Sequence, residues 1–262
     1  MSDWLHNLPI VWMALVVFGF TYLVTAGIYA LVTVLGDGER GRSFKSVSPG
    51  MLSPLGIIFG LFVAFTAAQV WNDNQRANAA VDREASALRT IVVLAATFPG
   101  EPEARLRGLI RRHIEQAVSD EWPMMARGTA TLRFAPPSLG QALQLTLALT
   151  PNSEGQKTAQ REIATALETA FDARRQRVII SQSQVNFVKW LCLFVQAAGA
   201  LFAIAIVHCD NRIASAITMG LFATGVAASV LLIASHDRPF AGEISVGPEP
   251  LLQVIPEEQA NH

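Results

Sequence analysis

Leu8 to Leu35 carries no charged side chain, and a helix rising about 1.5 Å per residue over that length more than covers a hydrocarbon core of roughly 30 Å. No other feature limits the fold as strongly, because backbone inside lipid must satisfy its own N–H and C=O groups. A secretory leader is the competing reading. Its apolar core would be only about 7 to 15 residues with positive charge in front, whereas residues 1–7 contain no Lys or Arg. The run is expected to remain as a permanent span. A second uncharged run goes from Ser46 to Asn72, with Pro54 near its start, where a missing N–H costs least. Phe187 to Ile206 and Ala214 to Ala234 are two more apolar runs, and the short link Val207–Ile213 between them predicts a tight hairpin. The composition agrees: 16% of the residues are charged, against about 25% in soluble domains.

Most of the charge lies between the second and third runs. Val81, Ala85, Leu88, Val92 and Ala95 repeat at fours and threes, which continues the second span as a helix out of the membrane. Pro99-Gly100 and Pro102 end it. Leu106, Ile110, His113 and Ala117 then mark an amphipathic helix stopping near Trp122-Pro123. Gly128 to Pro137 reads as a loop, Ser138 as the cap of a short helix with Leu143 and Leu147. The stripe Ile163, Leu167, Ala170, Phe171, Arg174, Val178 leads directly into the third span. The expected fold is all-α, with four transmembrane helices as two hairpins and a helical extramembrane domain between spans 2 and 3. The boundaries are 1–72 for spans 1 and 2, 73–186 for the water-facing domain, 187–234 for spans 3 and 4, and 235–262 for a tail. In that tail Gly242–Val246 is a short extended piece, and Arg238-Pro239-Phe240 suggests docking on a helical domain.

A net charge of -1 provides no positive field for nucleic acid. Two cysteines, Cys192 and Cys209, exclude a disulfide scaffold and any multi-cysteine metal site. His208-Cys209-Asp210 with His236 reads as a polar hairpin turn, since adjacent residues cannot all point at one ion. His113-Ile114-Glu115 has no second histidine at helical spacing and reads as a half-exposed site on a soluble helix. Arg174, Arg175 and Arg177 read as an interfacial anchor, Lys189 as a snorkelling cation, and Gln196 as a polar group in need of a partner. No nucleophile elbow, phosphate loop or carboxylate pair is present, so no enzyme and no cofactor are expected.

The second span is the most informative segment. Gly56, Gly60 and Ala64 recur every four residues and form a small face that lets helices approach closely. At about 100° per residue, Ser53, Ile57, Leu61 and Phe65 fall on a different sector, continued by Asn72. Copies packed through the small face would line an axial pore with that sector and gate it by dewetting. The pattern alone favours the plainer reading, in which the apolar sector faces lipid, since GxxxG spacing serves membrane helices of every purpose.

Ser53-Pro54-Leu55-Gly56-Ile57-Ile58-Phe59-Gly60-Leu61-Phe62-Val63, followed by Val70-Trp71-Asn72, resembles the pore helix of the bestrophin channels. There a proline starts the segment and a glycine- and aromatic-rich centre precedes a Trp-Asn exit. Nearly the whole chain is similar to the bestrophin-like domain family, whose tail resembles Asp237-Arg238-Pro239-Phe240-Ala241-Gly242-Glu243-Ile244-Ser245-Val246 with Pro248-Glu249-Pro250-Leu251 behind it. The resemblance implies an oligomeric ion channel in the cell membrane, with inorganic ions as cargo. It also implies a hydrophobic neck on Ser53, Ile57 and Leu61, and a cytoplasmic domain with cytoplasmic termini. Here Ser53 is polar and the large rings stand one position away, at Phe62 and Phe65. Animal bestrophins hold calcium with an acidic run after the last span. This tail has only scattered Asp237, Glu243, Glu249, Glu257 and Glu258, so neither calcium nor another metal is expected. Short-loop charge (Arg40, Arg42, Lys45, Arg212) and domain-side charge vote for opposite orientations, and the resemblance breaks the tie. The reading from a different class is a membrane-anchored interaction or sensor protein that conducts nothing.

Overall fold

The computed structural model describes residues 8–35, 48–133 and 137–256. Among these, every regular element is helical: α1 (Ile10–Leu35), α2 (Leu52–Ala95), α3 (Glu101–Gln116), α4 (Trp122–Ala126), α5 (Pro137–Ala148), α6 (Glu154–Ile180), α7 (Phe187–Val207), α8 (Arg212–His236) and α9 (Glu249–Leu252). A 3-10 turn, Pro49–Met51, precedes α2, and a π-turn, Ala117–Glu121, separates α3 from α4. The chain divides into two compact units, residues 1–72 with 184–237 and residues 73–183 with 238–262.

The first unit contains helices long and apolar enough to cross a membrane: α1, the start of α2, α7 and α8. Buried threonine hydroxyls in these helices are satisfied by the preceding turn, as lipid demands. Thr21 Oγ1 donates to the Val17 carbonyl, Thr25 Oγ1 to Thr21, and Thr66 Oγ1 to Phe62, each at 2.8 Å. Small residues line the packed sides of α7 and α8, with Ala197, Ala200, Ala205, Ala223, Ala227 and Ala234 all buried. Asn186 caps α7 through the Lys189 N–H, and Asn211 caps α8 through the Ala214 N–H. The buried Asp237 carboxylate accepts from the Val185 N–H at 2.6 Å, which ties the entry of α7 to the exit of α8.

The second unit packs the charged part of α2 with α3, α5 and α6 around Leu88, Ile91, Leu106, Ile110, Ile114, Leu139, Ile163 and Leu167, all essentially without exposure. The C-terminal segment belongs to the same core through Phe240, Val246, Leu251 and Val254. It docks without forming a strand. Gly242 turns the chain at φ 89°, and the Val246 N–H closes the loop on the Pro239 carbonyl at 2.7 Å.

Three local expectations are corrected. The second domain helix does not stop at Trp122-Pro123: the π-turn absorbs one extra residue per turn, and Pro123 sits in the first turn of α4, where it breaks no hydrogen bond. Ser138 does not cap α5 but lies inside it, buried, with its hydroxyl on Gln116 Oε1 at 3.3 Å. Leu143 and Leu147 lie on this helix as expected, Leu147 with 67% exposure. The stripe of α6 does not run directly into the third span, because residues 181–186 are non-helical and Asn186 starts a new helix. The basic residues Arg40, Arg42 and Lys45 and the acids Glu257 and Glu258 lie outside the described residues.

Candidate functional site

The membrane part of α2, ending where Asp73 begins the charged half, exposes two adjoining faces. Ser48 starts it by accepting from the Gly50 N–H at 3.2 Å. Phe59, Thr66 and Val70 are its buried residues, and Phe59 meets Phe222 of α8 with ring centroids 5.5 Å apart. At about 100° per residue, Ile57 and Leu61 each stand about 160° from Phe59, on the far side of the helix. They are 59% and 53% exposed, Phe65 is 73% exposed, and Ser53 and Asn72 are exposed as well. The protein thus brings Ser53, Ile57, Leu61, Phe65 and Asn72 onto one side that this chain leaves uncovered.

Gly56, Gly60 and Ala64 lie between that side and the buried one, and they too are exposed. A Cβ built on Gly56 or Gly60 meets nothing within 4 Å. Packing within the chain therefore does not account for glycine at either position. Two further polar features belong to the first unit. Lys189 Nζ donates to Gln69 Oε1 on α2, a bond that holds the cation at the end of the span. Gln196 of α7 has a buried Oε1 with no partner within the described residues.

The second unit holds a buried ionic cluster that the sequence reading missed. Glu84 of α2 accepts from Arg177 Nε at 2.8 Å and Nη2 at 3.2 Å, and meets His113 Nε2 at 2.8 Å. Glu121, the last residue of the π-turn, accepts from Arg174 Nε at 2.8 Å and from Arg177 Nη2 at 2.9 Å. Glu84, His113 and Arg177 have no exposure at all. Burial alone would raise the Glu84 pKa, but the Arg177 charge, the hydrogen bond and charge interaction with His113 and the Arg177 hydrogen bond outweigh it and hold the carboxyl at about 2. The Arg177 guanidinium also stacks over the Trp122 ring, 4.6 Å from its centroid.

Two readings are corrected here. His113 is a fully buried residue rather than a half-exposed one, and Arg174 and Arg177 are buried ion-pair partners rather than an interfacial anchor; only Arg175 of that trio is exposed. A signal was available: Arg174 falls on the apolar stripe of α6 and Glu84 on that of α2, and charges on core-facing stripes need each other. Nothing in the sequence said which acid met which base.

These features define a four-span helical membrane protein with an uncovered face on its second span and an ion-paired helical unit. The chain belongs to the Bestrophin-like domain family, which matches residues 9–251. Its fold is that of solved bestrophin homologues. A bacterial bestrophin homologue from Klebsiella pneumoniae carrying an I180T mutation is similar at 13% identity and TM-score 0.72, over 91% of this chain and 97% of that one. A second structure of a Klebsiella pneumoniae homologue is similar at 13% identity and TM-score 0.70, over 90% and 94%. Among curated proteins, none matches the chain.

Proposed function

We propose that the protein is a homo-oligomeric ion channel of the cell membrane whose pore runs along the membrane part of α2. In this reading, copies pack through Gly56, Gly60 and Ala64, while Ser53, Ile57, Leu61, Phe65 and Asn72 line the path of inorganic ions. The observation that carries it is the far side of α2: its apolar residues are exposed opposite the face that the chain itself covers. The small residues beside them have room for a neighbouring backbone. Resemblance to the bestrophin channels supports the same assignment, with the helical unit and the termini in the cytoplasm. The chemistry is passive permeation and involves no catalytic step.

A dewetted constriction at Leu61 is relieved by a polar side chain without any new binding site. Leu61→Ser is expected to raise ion flux through reconstituted liposomes by about tenfold over wild type at matched protein density. If wild type, Leu61→Ser and empty liposomes give indistinguishable flux, with folding and oligomeric state confirmed, the protein is instead a membrane-anchored interaction or sensor protein.

A further inference from the structure

The ionic cluster holds one histidine beside its carboxylates and guanidiniums. Glu84 and Glu121 supply two negative charges, Arg174 and Arg177 two positive ones. His113 is completely buried, spends Nε2 on Glu84, and has an Nδ1 that meets no hydrogen-bond partner. In the neutral ring that nitrogen is an idle acceptor. A proton placed there creates a buried N–H without an acceptor, which is relieved by admitting water.

One side chain touches both this cluster and the docked C-terminal segment. Trp122 lies under the Arg177 guanidinium on one side. It also donates through Nε1 to the Val246 carbonyl at 3.1 Å and meets the Phe240 ring edge-on at 5.8 Å. Trp122 directly follows the π-turn that presents Glu121. The same strap is held further along by Arg111, which donates to the Pro256 carbonyl.

We propose that His113 is a proton sensor for this strap: protonation of its ring opens the cluster, withdraws support from Trp122, and releases Phe240–Val254 from the helical unit. Charged groups around the ring include Glu84 from α2, Arg174 and Arg177 from α6 and Glu121 from the π-turn, and the strap itself carries Arg238, Glu243 and Glu249. On its own helix Arg112 and Glu115 are exposed, Arg107 pairs with Glu103, and Arg111 is engaged by the strap. α4 and α5 contribute no charged residue. Glu84, held at about 2, keeps its charge across the range in which histidines change theirs. The proposal does not depend on conduction.

Hydrogen exchange of the full-length protein in detergent, corrected for intrinsic rates and taken at about pH 7.5 and about pH 5.5, reads it directly. In wild type, protection of peptides covering 240–254 is expected to fall about tenfold or more on acidification, while 163–170 of α6 holds. His113→Gln, which keeps a donor toward Glu84 and cannot take a proton, is expected to leave strap protection the same at both pH values. A pH-independent strap in wild type, or an undiminished loss in His113→Gln, overturns the proposal. If His113→Gln does not fold, wild type labelled at histidine Cε1 serves instead. Strap opening must then follow the His113 resonance, and midpoints differing by more than about one pH unit overturn it.

Discussion

Glu84→Gln keeps the volume of the side chain and removes only its charge, in a place where that charge matters most. The carboxylate is fully buried and binds Arg177 twice and His113 once. Without it Arg177 retains Glu121 alone, and removing one partner of a buried pair typically costs about 3–5 kcal/mol. The proton linkage yields a similar figure: a carboxyl lowered from 4.5 to about 2 contributes about 3 kcal/mol at neutral pH. Because the folded pKa is the depressed one, this stability is complete above the unfolded value of 4.5 and is lost as pH falls through about 2. Native-state hydrogen exchange of α6 amides is the assay. Protection in Glu84→Gln should be lower by about two orders of magnitude at pH 7, and the gap should shrink on acidification. A variant within about fivefold of wild type at pH 7, or a gap that stays constant down to about pH 2, would refute the reasoning.

Two further outcomes follow from particular residues. Gly60→Leu adds bulk where this chain has none nearby and gains about 0.8 kcal/mol of helix propensity, so each protomer should be at least as stable while the oligomer, sized in detergent, dissociates. An unchanged assembly would show that the small face is not an interface. In a variant lacking Cys192 and Cys209, Leu147→Cys on the exposed side of α5 should resist a membrane-impermeant thiol reagent in intact cells and react after lysis. Labelling in intact cells would place the helical unit outside.

The four spans are legible in the chain because hydrophobic length is a local property: an uncharged run such as Leu8–Leu35 has only a helix, or a closed barrel, available in lipid. Helical stripes are local in the same sense, which is why α2 is readable as one helix past Asn72 and why Phe240 announces a docked tail. Local patterns also carry the family resemblance, in the Pro54–Val63 segment and the Arg238–Val246 tail. What periodicity cannot convey is the neighbour. Whether Leu61 faces lipid, protein or a path depends on what stands opposite it, and only the packed chain shows that Phe59 is covered while Leu61 is not.

Charge shows the same divide more sharply. Side chains 29, 53 and 93 positions apart in sequence meet in the cluster of His113, Glu121, Arg174, Arg177 and Glu84, and no spacing rule spans such distances. Single-helix reasoning sends each of these charges to water or headgroups, because burying one alone is prohibitive. Only their simultaneous arrival makes burial tolerable. The sequence by itself therefore determined where the helices run and which could enter a membrane, since those are properties of one segment and its solvent. The tertiary structure decided which helix sides stay uncovered, that His113 lies in a dry ionic site, and that Trp122 joins that site to the tail, since burial and pairing are properties of several segments at once.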